Sequence, residues 1–349
     1  ISVLAMIENN ILIKSDNLKA LQWLIDNGYE GCIDLVYIDP PFSTGGTFSI
    51  DNDGRIATIS KSLNSVIAYD DTLKGKEFIE FLKVRVKLIY RLLSNKGSLY
   101  LHIDYKIGHY VKVMLDEIFG IKYFRNDITR IKCNPKNFNK IGFGNIKDMI
   151  LFYTKGDKPI WNTPRLPYSE KELAKGYPKI DKHGRRYTTV PIHAPGETKN
   201  GETSKPFKGI YPPAGRHWRC SVAELETLDQ AGLIEWSSNG NPRKINYADE
   251  MIGKKAQDIW EFKDPMYPDF PTQKNENMLK LIIEASSNQD SIIMDCFCGS
   301  GTTLKVAKEL GRKWIGIDNS DVAIKVAKKR LNYNNIFNND KPFDFIEMI

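Results

Sequence analysis

The sequence predicts an α/β protein with a doubly wound, mostly parallel sheet and an irregular inserted domain. Short apolar strands alternate with amphipathic helices over residues 1–119, and the alternation resumes after Asp264. Such alternation is typical of parallel sheets. Between these two parts lies a segment dense in Pro, Gly, aromatic and basic residues, which predicts the insert.

The first part is predicted to contain strands at 10–14, 33–38 and 98–103 and helices at 17–27, 76–93 and 107–118. Leu18, Leu21 and Leu24 recur at helical spacing, and Ser15 or Asp16 can cap the helix that carries them. Residues 43–71 are polar and lack periodicity, so we expect a long loop there, of the kind that forms functional lids.

The remaining elements complete the same pattern. Strands near 127–131 and 149–153 flank a basic, Asn-rich stretch, and they are followed by the insert at 158–262. After the insert come a helix at 275–286, a strand at 291–295, a helix at 302–310, a strand at 313–317 and a helix at 321–331. Residues 1–157 and 263–349 are therefore interpreted as two halves of one α/β domain.

The composition indicates a globular protein whose positive charge is concentrated in its middle. The chain has 349 residues, of which 41% are hydrophobic and 27% charged, which excludes a disordered or coiled-coil chain. Residues 120–262 hold 25 basic and 16 acidic residues, a net charge of +9, whereas the whole chain carries +7. This excess predicts a region that binds a polyanion and begins near residue 130; the alternative is a solvated basic surface.

Location and metal content are also predicted from the sequence. No apolar run approaches the length of a membrane span, and the first ten residues lack the features of a signal peptide. The five cysteines are scattered and odd in number, so we expect a reducing, cytoplasmic environment without disulfides. Only Cys296 and Cys298 are close together, and one such pair is a poor zinc signal, so no metal site is predicted.

A glycine-rich turn at 297–301 lies between a predicted strand and a predicted helix. Gly299 and Gly301 would let the backbone approach a ligand at the helix N-terminus. Asp318, at the end of the next strand, is placed to accept hydrogen bonds from ribose hydroxyls. Leu304 occupies the third glycine position of a dinucleotide fingerprint, so a nucleoside-type cofactor is favoured over a pyrophosphate one.

The tetrapeptide Asp39-Pro40-Pro41-Phe42 follows an apolar strand. Ligands of such sheets bind at the carboxyl ends of the strands. The Asp39 carboxylate and the Pro40 carbonyl can accept both hydrogens of an exocyclic amine, which frees the nitrogen lone pair for attack. Phe42 offers a flat face on which a base can stack. A plain turn can also use Pro-Pro, but it needs neither the acid nor the aromatic residue.

A third segment, Pro271-Thr272-Gln273-Lys274, precedes the helix 275–286. Its polar side chains can close one wall of the cofactor pocket. Taken alone, the segment is explained equally well as the N-terminal cap of that helix.

These motifs, in this order, resemble the β group of amino DNA methyltransferases, and most closely the modification subunits of type III restriction systems. The family carries a DPP[YF] motif, a target recognition domain, a PTQK-like segment and an FxGxG loop, and this chain carries each of them in turn. Cys296 stands where the family loop often has proline, and Phe270 stands where the PTQK segment often has histidine. The Ser15-Asp16-Asn17-Leu18 stretch is similar to the family's GDNL turn.

The resemblance implies a circularly permuted, Rossmann-like methyltransferase fold with S-adenosyl-L-methionine as cofactor. Residues 1–157 would be the catalytic half, 158–262 the target recognition insert and 263–349 the cofactor-binding half. The implied substrate is an adenine that is flipped out of duplex DNA and methylated directly on N6. The implied catalytic residues are Asp39, Pro40, Pro41 and Phe42. The implied cofactor contacts are Asp16, Asp39, Thr272, Lys274, Asp295, Phe297, Cys298, Gly299, Ser300, Gly301, Thr302 and Asp318.

The basic middle is predicted to bind DNA phosphates and base edges. The candidate residues are Lys132, Lys136, Lys140, Arg185, Arg186, Arg216, Arg219, Arg243 and Lys244. A restriction-modification role follows from the resemblance, with a homodimer and a restriction subunit as candidate partners.

Other functions stay open at this point. The DPPF form favours adenine over N4 of cytosine, which remains an alternative, and RNA is a less favoured substrate. A DNA-binding module without activity would not need an intact Asp39-to-Phe42 motif. A nicotinamide dehydrogenase is disfavoured because Leu304 replaces the third glycine and because no catalytic His accompanies a substrate motif.

Overall fold

The structure, a computed structural model, forms two compact units. It describes residues 9–41, 47–50, 56–57, 66–70, 75–135, 141–251, 253–264, 274–332 and 343–348. Unit 1 consists of Ile1–Pro164 and Gln257–Ile349, and unit 2 of Arg165–Ala256. Unit 2 lies within the predicted insert, 158–262.

Helices and strands alternate along the chain. The helices are α1 (Asn17–Asp26), α2 (Gly75–Leu92), α3 (Gly108–Phe119), α4 (Glu170–Gly176), α5 (Val222–Gln230), α6 (Glu276–Ser286), α7 (Thr302–Glu309) and α8 (Asp321–Arg330). The strands are β1 (Ile11–Lys14), β2 (Ile33–Ile38), β3 (Thr47–Ile50), β4 (Ile56–Ala57), β5 (Val66–Asp70), β6 (Leu93–Ile103), β7 (Phe124–Ile131), β8 (Lys147–Thr154), β9 (Arg165–Leu166), β10 (Lys179–Ile180), β11 (Arg186–Pro191), β12 (His193–Pro195), β13 (Arg216–Trp218), β14 (Ile234–Trp236), β15 (Pro242–Tyr247), β16 (Lys254–Lys255), β17 (Ile259–Trp260), β18 (Ile292–Asp295), β19 (Lys313–Asp318) and β20 (Asp344–Glu347).

Unit 1 is built on a mixed, mostly parallel sheet. Its strand order is β17-β7-β8-β6-β2-β18-β19-β1-β20. Only β8 runs antiparallel to its neighbours, β6 and β7; the other neighbouring pairs are parallel. At the centre, β2 from the first half of the chain pairs with β18 from the second half, with Val36 opposite Met294. The α/β fold class with a mostly parallel sheet is therefore confirmed.

The two faces of this sheet are covered by different parts of the chain. Strand β2 is almost wholly buried, as expected for a central parallel strand. Its Val36 and Ile38 share one apolar cluster with buried residues of α1, α2 and α3. Alternate residues point to the opposite face. There the Tyr100 hydroxyl of β6 contacts the Ser286 hydroxyl of α6 at 2.8 Å.

The structure corrects the sequence prediction in two places. Residues 43–71 were expected to form a loop without regular structure, but β3, β4 and β5 lie in this range and form a small antiparallel sheet of their own. Strands of two to five residues are too short to show a period of two, which is why the pattern gave no signal. The marginal strands β17 and β20 were missed for the same reason.

Unit 2 is less irregular than the composition of the insert indicated. Strands β10, β11, β15 and β14 form an antiparallel sheet, and both α4 and α5 begin with a Ser–Glu capping box. Its small core contains Ile192, Phe207, Trp218 and Leu225. The Trp218 indole N–H donates to the carbonyl of Lys205 at 2.9 Å.

No helix among the described residues is long and apolar enough to cross a membrane.

Candidate active site

Four carboxylates lie at one edge of the sheet in unit 1. Strands β2, β18, β19 and β1 are neighbours and run parallel, so their carboxyl ends meet at the same edge. Asp39 follows β2, Asp295 and Asp318 end β18 and β19, and Asp16 lies just after β1. Such an edge is where ligands of open α/β sheets bind.

The turn after β18 has the backbone that only glycine adopts easily. Gly299 and Gly301 have φ values of +50° and +76°. A Cβ on Gly301 would lie 3.2 Å from the Cβ of Ala327, which is closer than most such contacts. The Gly299 N–H donates to Asp318 Oδ2 at 2.8 Å, which joins the turn to the end of β19. Helix α7 begins directly after this turn, so its first N–H groups face the same edge.

Asp295 is buried beneath the turn. Its Oδ1 accepts from the backbone N–H of Phe297 at 3.0 Å, and its Oδ2 accepts from the Thr303 hydroxyl at 2.6 Å. Burial raises the pKa of Asp295 to about 7, and the charges of Asp39 and Asp318 act in the same direction. The side chain is 3% exposed, so it is placed to support the turn from below.

Asp318 anchors the second strand end. Besides the Gly299 N–H, it accepts from the backbone N–H of Ser320 at 2.9 Å. Its carbonyl accepts from the Ser15 N–H at 3.0 Å, which connects β1 to the same edge. Burial raises the pKa of Asp318, and these backbone hydrogen bonds only partly oppose the shift.

Asp16 is held in place by α1 and Arg85. Its Oδ1 caps α1 by accepting from the backbone N–H of Leu18 at 2.9 Å, and its Oδ2 accepts from Arg85 Nη2 at 3.1 Å. The buried Arg85 also bonds to Asn17 and lies 3.5 Å from the centre of the Phe81 ring. Phe81 in turn contacts Phe297, with ring centroids 6.3 Å apart. The positions of Phe81 and Phe297, the two aromatic rings beside the glycine turn, thus depend on Arg85.

Asp39 has one occupied and one unoccupied oxygen. Its Oδ2 lies 2.8 Å from Lys274 Nζ, and this ion pair joins the two halves of the chain. Its Oδ1 is buried and has no hydrogen-bond partner among the described residues. An unpaired buried acceptor costs about 1–3 kcal/mol, so this oxygen is expected to gain a donor when a ligand binds.

The structure brings most of the predicted site residues together, although several have structural partners. Ser300 and Thr302 both accept hydrogen bonds from Arg330, at 2.8 and 2.7 Å through their hydroxyls. Cys298 is buried, and burial raises the pKa of its thiol well above the usual range. Pro40 is buried and Pro41 half-buried beside Asp39. Phe42 and Thr272 lie outside the described residues.

Sequence reasoning missed His102, which is fully buried on β6 behind Asp39. Its Nδ1 lies 2.9 Å from the Tyr37 hydroxyl and 3.9 Å from Asp39 Oδ1, and its Nε2 lies 3.2 Å from Asp148 Oδ2. Burial lowers the pKa of His102, and the positive charge of Lys274 lowers it further. The sequence signal for His102 is a single polar residue within an apolar strand. A polar residue of this kind is equally well explained by an exposed position on the strand.

The predicted DNA-binding residues are distributed over both units. Lys132 in unit 1 donates to Asp148 Oδ1 at 2.6 Å. In unit 2, Arg185 pairs with Asp249 and Glu250, each at 2.8 Å. Arg243 donates to the Thr189 hydroxyl at 2.9 Å. Lys136 and Lys140 lie outside the described residues.

The other predicted basic residues of unit 2 have fewer constraints. Arg216 and Arg219 are exposed and contact His193, through its ring nitrogen at 3.2 Å and its carbonyl at 3.3 Å. Arg186 is half-buried at the start of β11. A cavity of about 500 Å³ between β11 and α5 has Arg219 and Lys244 in its lining.

Comparison with known proteins decides the family. Residues 33–329 match the N6/N4 methyltransferase family, described as DNA methylase. The chain belongs to this DNA methylase family. It is therefore a DNA amino-methyltransferase, of the class that contains N6-adenine and N4-cytosine enzymes, and the predicted resemblance to modification methyltransferases is confirmed.

Individual relatives of the methylase are similar over most of its length. It is 43% identical over 334 residues to the type II methyltransferase M.EcaI of Enterobacter cloacae, which covers 93% of the chain and 70% of that protein. It is 26% identical to the type III StyLTI Mod subunit of Salmonella typhimurium, covering 87% of the chain and 50% of that subunit. It is 25% identical to the DNA adenine methyltransferase YhdJ of Escherichia coli, covering 86% and 76%. The methylase thus spans about half the length of the type III subunit that it matches.

Proposed function

We propose that this methylase transfers a methyl group from S-adenosyl-L-methionine to the N6 amine of an adenine flipped out of duplex DNA, as the modification enzyme of a restriction-modification system. The observation that carries the proposal is the unpaired, buried Oδ1 of Asp39 at the carboxyl edge of the sheet. This atom requires a hydrogen-bond donor, and an exocyclic amine supplies one.

The residues at the edge suit the cofactor. The left-handed turn at Gly299 and Gly301 carries no side chains, so its backbone is open to close approach by an adenosine. Asp318 is positioned for ribose hydroxyls, and the acidic edge suits a ligand that carries a sulfonium and an ammonium group. When bound, the cofactor supplies an electrophilic methyl carbon on a good leaving group. Asp39 and Asp318 at this edge contribute the negative potential that favours such a cation.

The chain's own contribution to the reaction is to orient and polarise the amine. Asp39 Oδ1 and the Pro40 carbonyl accept the two N6 hydrogens, which draws the nitrogen toward tetrahedral geometry and makes its lone pair available for in-line attack. Lys274 fixes the carboxylate through Oδ2, so that Oδ1 keeps its direction. Phe42 would stack on the flipped base. Positioning and preorganised charge of this kind supply much of the rate enhancement in enzymes.

Adenine is the proposed target base because the motif reads Asp-Pro-Pro-Phe, the form that leans to adenine in the family. The name of the E. coli relative YhdJ, a DNA adenine methyltransferase, supports the same choice. The names of M.EcaI and of the StyLTI Mod subunit support a role in restriction-modification. The residues proposed as DNA contacts are Arg186, Arg216, Arg219 and Lys244. Arg185 is left out because it already has two carboxylate partners.

Nucleoside analysis tests the proposal. The protein is incubated with unmethylated duplex DNA and a cofactor with an isotopically labelled methyl group, and the hydrolysed nucleosides are separated by mass spectrometry. Labelled N6-methyldeoxyadenosine is expected, and it should be absent with Asp39→Ala. The matched control is Asp34→Asn, at the opposite end of β2, which should keep the activity. Labelled N4-methyldeoxycytidine, or label in structured RNA but not in DNA, would refute the proposal.

A further inference from the structure

A chain of buried polar groups runs from Asp39 across the sheet in unit 1. It passes from Asp39 and Tyr37 on the β2 side to His102 on β6 and Asp148 on β8. Asp148 then contacts Lys132 Nζ at 2.6 Å and Arg130 Nη1 at 3.5 Å, both from the β7 side. Arg130, His102 and Asp148 are each at most 2% exposed. Burying this many polar groups is costly unless each has a defined partner, so their arrangement is informative.

The partners determine which nitrogen of His102 carries the hydrogen. Burial alone would raise the pKa of Asp148, but hydrogen bonds from His102 and Lys132 lower it well below its usual range, so the group is a carboxylate. A carboxylate only accepts hydrogen bonds, and therefore Nε2 of His102 must be the donor. Because burial keeps the imidazole neutral, its Nδ1 has no hydrogen and accepts from the Tyr37 hydroxyl.

This tautomer explains the unpaired oxygen of Asp39. The atom of His102 that lies nearest to Asp39 Oδ1 is Nδ1, at 3.9 Å. Both atoms are acceptors in this tautomer, so they cannot form a hydrogen bond and the carboxylate oxygen remains available. If Nδ1 carried the hydrogen instead, a small movement would join it to Oδ1 and occupy the atom that the substrate amine needs.

We propose that His102 is a positioning residue: Asp148 holds it as the Nε2–H tautomer, and it thereby leaves Asp39 Oδ1 open for the amine of the target base. The inference rests on the proposed function of Asp39. Among the residues that the structure describes, the charged and titratable groups facing His102 are Tyr37 and Asp39 from the β2 side, Asp148 from β8, Arg130 and Lys132 from the β7 side, and Lys274 ahead of α6. Of these, Asp148 is the acceptor at Nε2.

The first test measures the tautomer directly in the wild-type protein without DNA or cofactor. Two-dimensional ¹⁵N–¹H correlation of the imidazole nitrogens distinguishes a neutral ring protonated at Nε2 from one protonated at Nδ1. His102 is assigned by the signal that changes in Asp148→Asn. The Nε2–H form is expected at pH 7.5. The Nδ1–H form, or an imidazolium at this pH, would overturn the inference.

The second test inverts the tautomer. In Asp148→Asn, the amide oxygen should turn to Lys132, because an ammonium group only donates, and the NH₂ group then faces His102 Nε2. Nε2 becomes an acceptor, and Nδ1–H then faces the Tyr37 hydroxyl oxygen at 2.9 Å and Asp39 Oδ1 at 3.9 Å. We expect kcat to fall about 100-fold, the size of effect seen when one catalytic hydrogen bond is lost, with KM for DNA and Kd for the cofactor within about twofold of wild type.

Asp116→Asn is the matched control. Asp116 on α3 accepts from Lys112 at 2.6 Å and from the Tyr153 hydroxyl at 2.7 Å, so it resembles Asp148 in its partners but lies away from Asp39. The control should keep wild-type kcat. An Asp148→Asn protein with the Nδ1–H tautomer and unchanged kcat would refute the inference. If the wild type methylates no adenine while His102 has the expected tautomer, the proposed function fails and the tautomer assignment stands.

Discussion

Asp295→Asn should make the protein more stable at alkaline pH, because burial destabilises the ionised carboxylate of the wild type. The pKa of Asp295 is raised from 3.8 to about 7 by burial. A difference of about 3 pKa units corresponds to about 4 kcal/mol between the folded and unfolded states. Asp295 is only 3% exposed, so solvent screens its charge little.

The direction follows from proton binding. The folded state binds the Asp295 proton more tightly than the unfolded state does, so the contribution of this group is most favourable below about pH 4. It is lost progressively as the pH rises toward 7, and above pH 7 the penalty is complete. An Asn side chain is neutral throughout, and it can keep both contacts: its oxygen accepts from the Phe297 N–H and its NH₂ donates to the Thr303 hydroxyl oxygen.

Urea unfolding at pH 5 and pH 8 measures the effect as a difference between variant and wild type, in which the other carboxylates cancel. The variant should gain about 3 kcal/mol relative to wild type between pH 5 and pH 8. Asp34→Asn is the control: Asp34 also accepts from a hydroxyl and a backbone N–H, at 3.0 and 3.3 Å, but it is only half-buried. An Asp295→Asn curve parallel to that of wild type would show that the buried group carries no such penalty.

The other predictions concern the turn, Lys274 and Arg85. Gly301→Ala should destabilise the protein by about 2 kcal/mol from backbone strain and the close helix contact. Gly311→Ala, with a similar φ of +71° but only an ordinary contact with Gln289 Cγ at 4.0 Å, should cost about 1 kcal/mol in urea unfolding. Lys274→Met should lower the single-turnover methylation rate about tenfold by freeing the Asp39 carboxylate to rotate, with cofactor affinity by calorimetry changed less. Arg85→Met should destabilise the protein by about 2 kcal/mol in the same unfolding assay, because it leaves several polar groups unpaired; a change below 0.5 kcal/mol would contradict the role given to Arg85.

The strand ends of the site were predictable because each is a change from apolar to polar sequence. Asp39 and Asp295 each end a run of buried residues, and the parallel arrangement places such ends together. The glycine turn was predictable because only glycine tolerates its backbone. Periodicity and turn chemistry are local, and these features depend on local sequence.

The pairings inside the site were not predictable, because they join residues far apart in sequence. Lys274 was predicted to contact the cofactor, and its contact with Asp39 across 235 positions appears only when β2 and the segment before α6 meet. His102 stands inside an apolar strand, and nothing near it in sequence identifies Asp148 as its partner. The strands β3, β4 and β5 were missed because pairing among themselves, rather than a local pattern, defines them.

The acidic edge of the sheet and the buried polar groups around His102 both affect the charge and the hydrogen bonding of Asp39. Asp295 and Asp318 both have raised pKa values because both carboxyl groups are buried, and the charges of Asp39 and Asp318 add to the shift at Asp295. A cation bound at this edge would relieve the repulsion among the carboxylates. A hydrogen-bond donor on the other side of Asp39 would instead occupy its unpaired Oδ1. The fold therefore leaves the edge negative and makes the neighbouring imidazole neutral and hydrogen-free where it faces Asp39. A hydrogen-bond donor in place of the His102 Nδ1 acceptor would occupy the Asp39 oxygen on which the proposed chemistry depends.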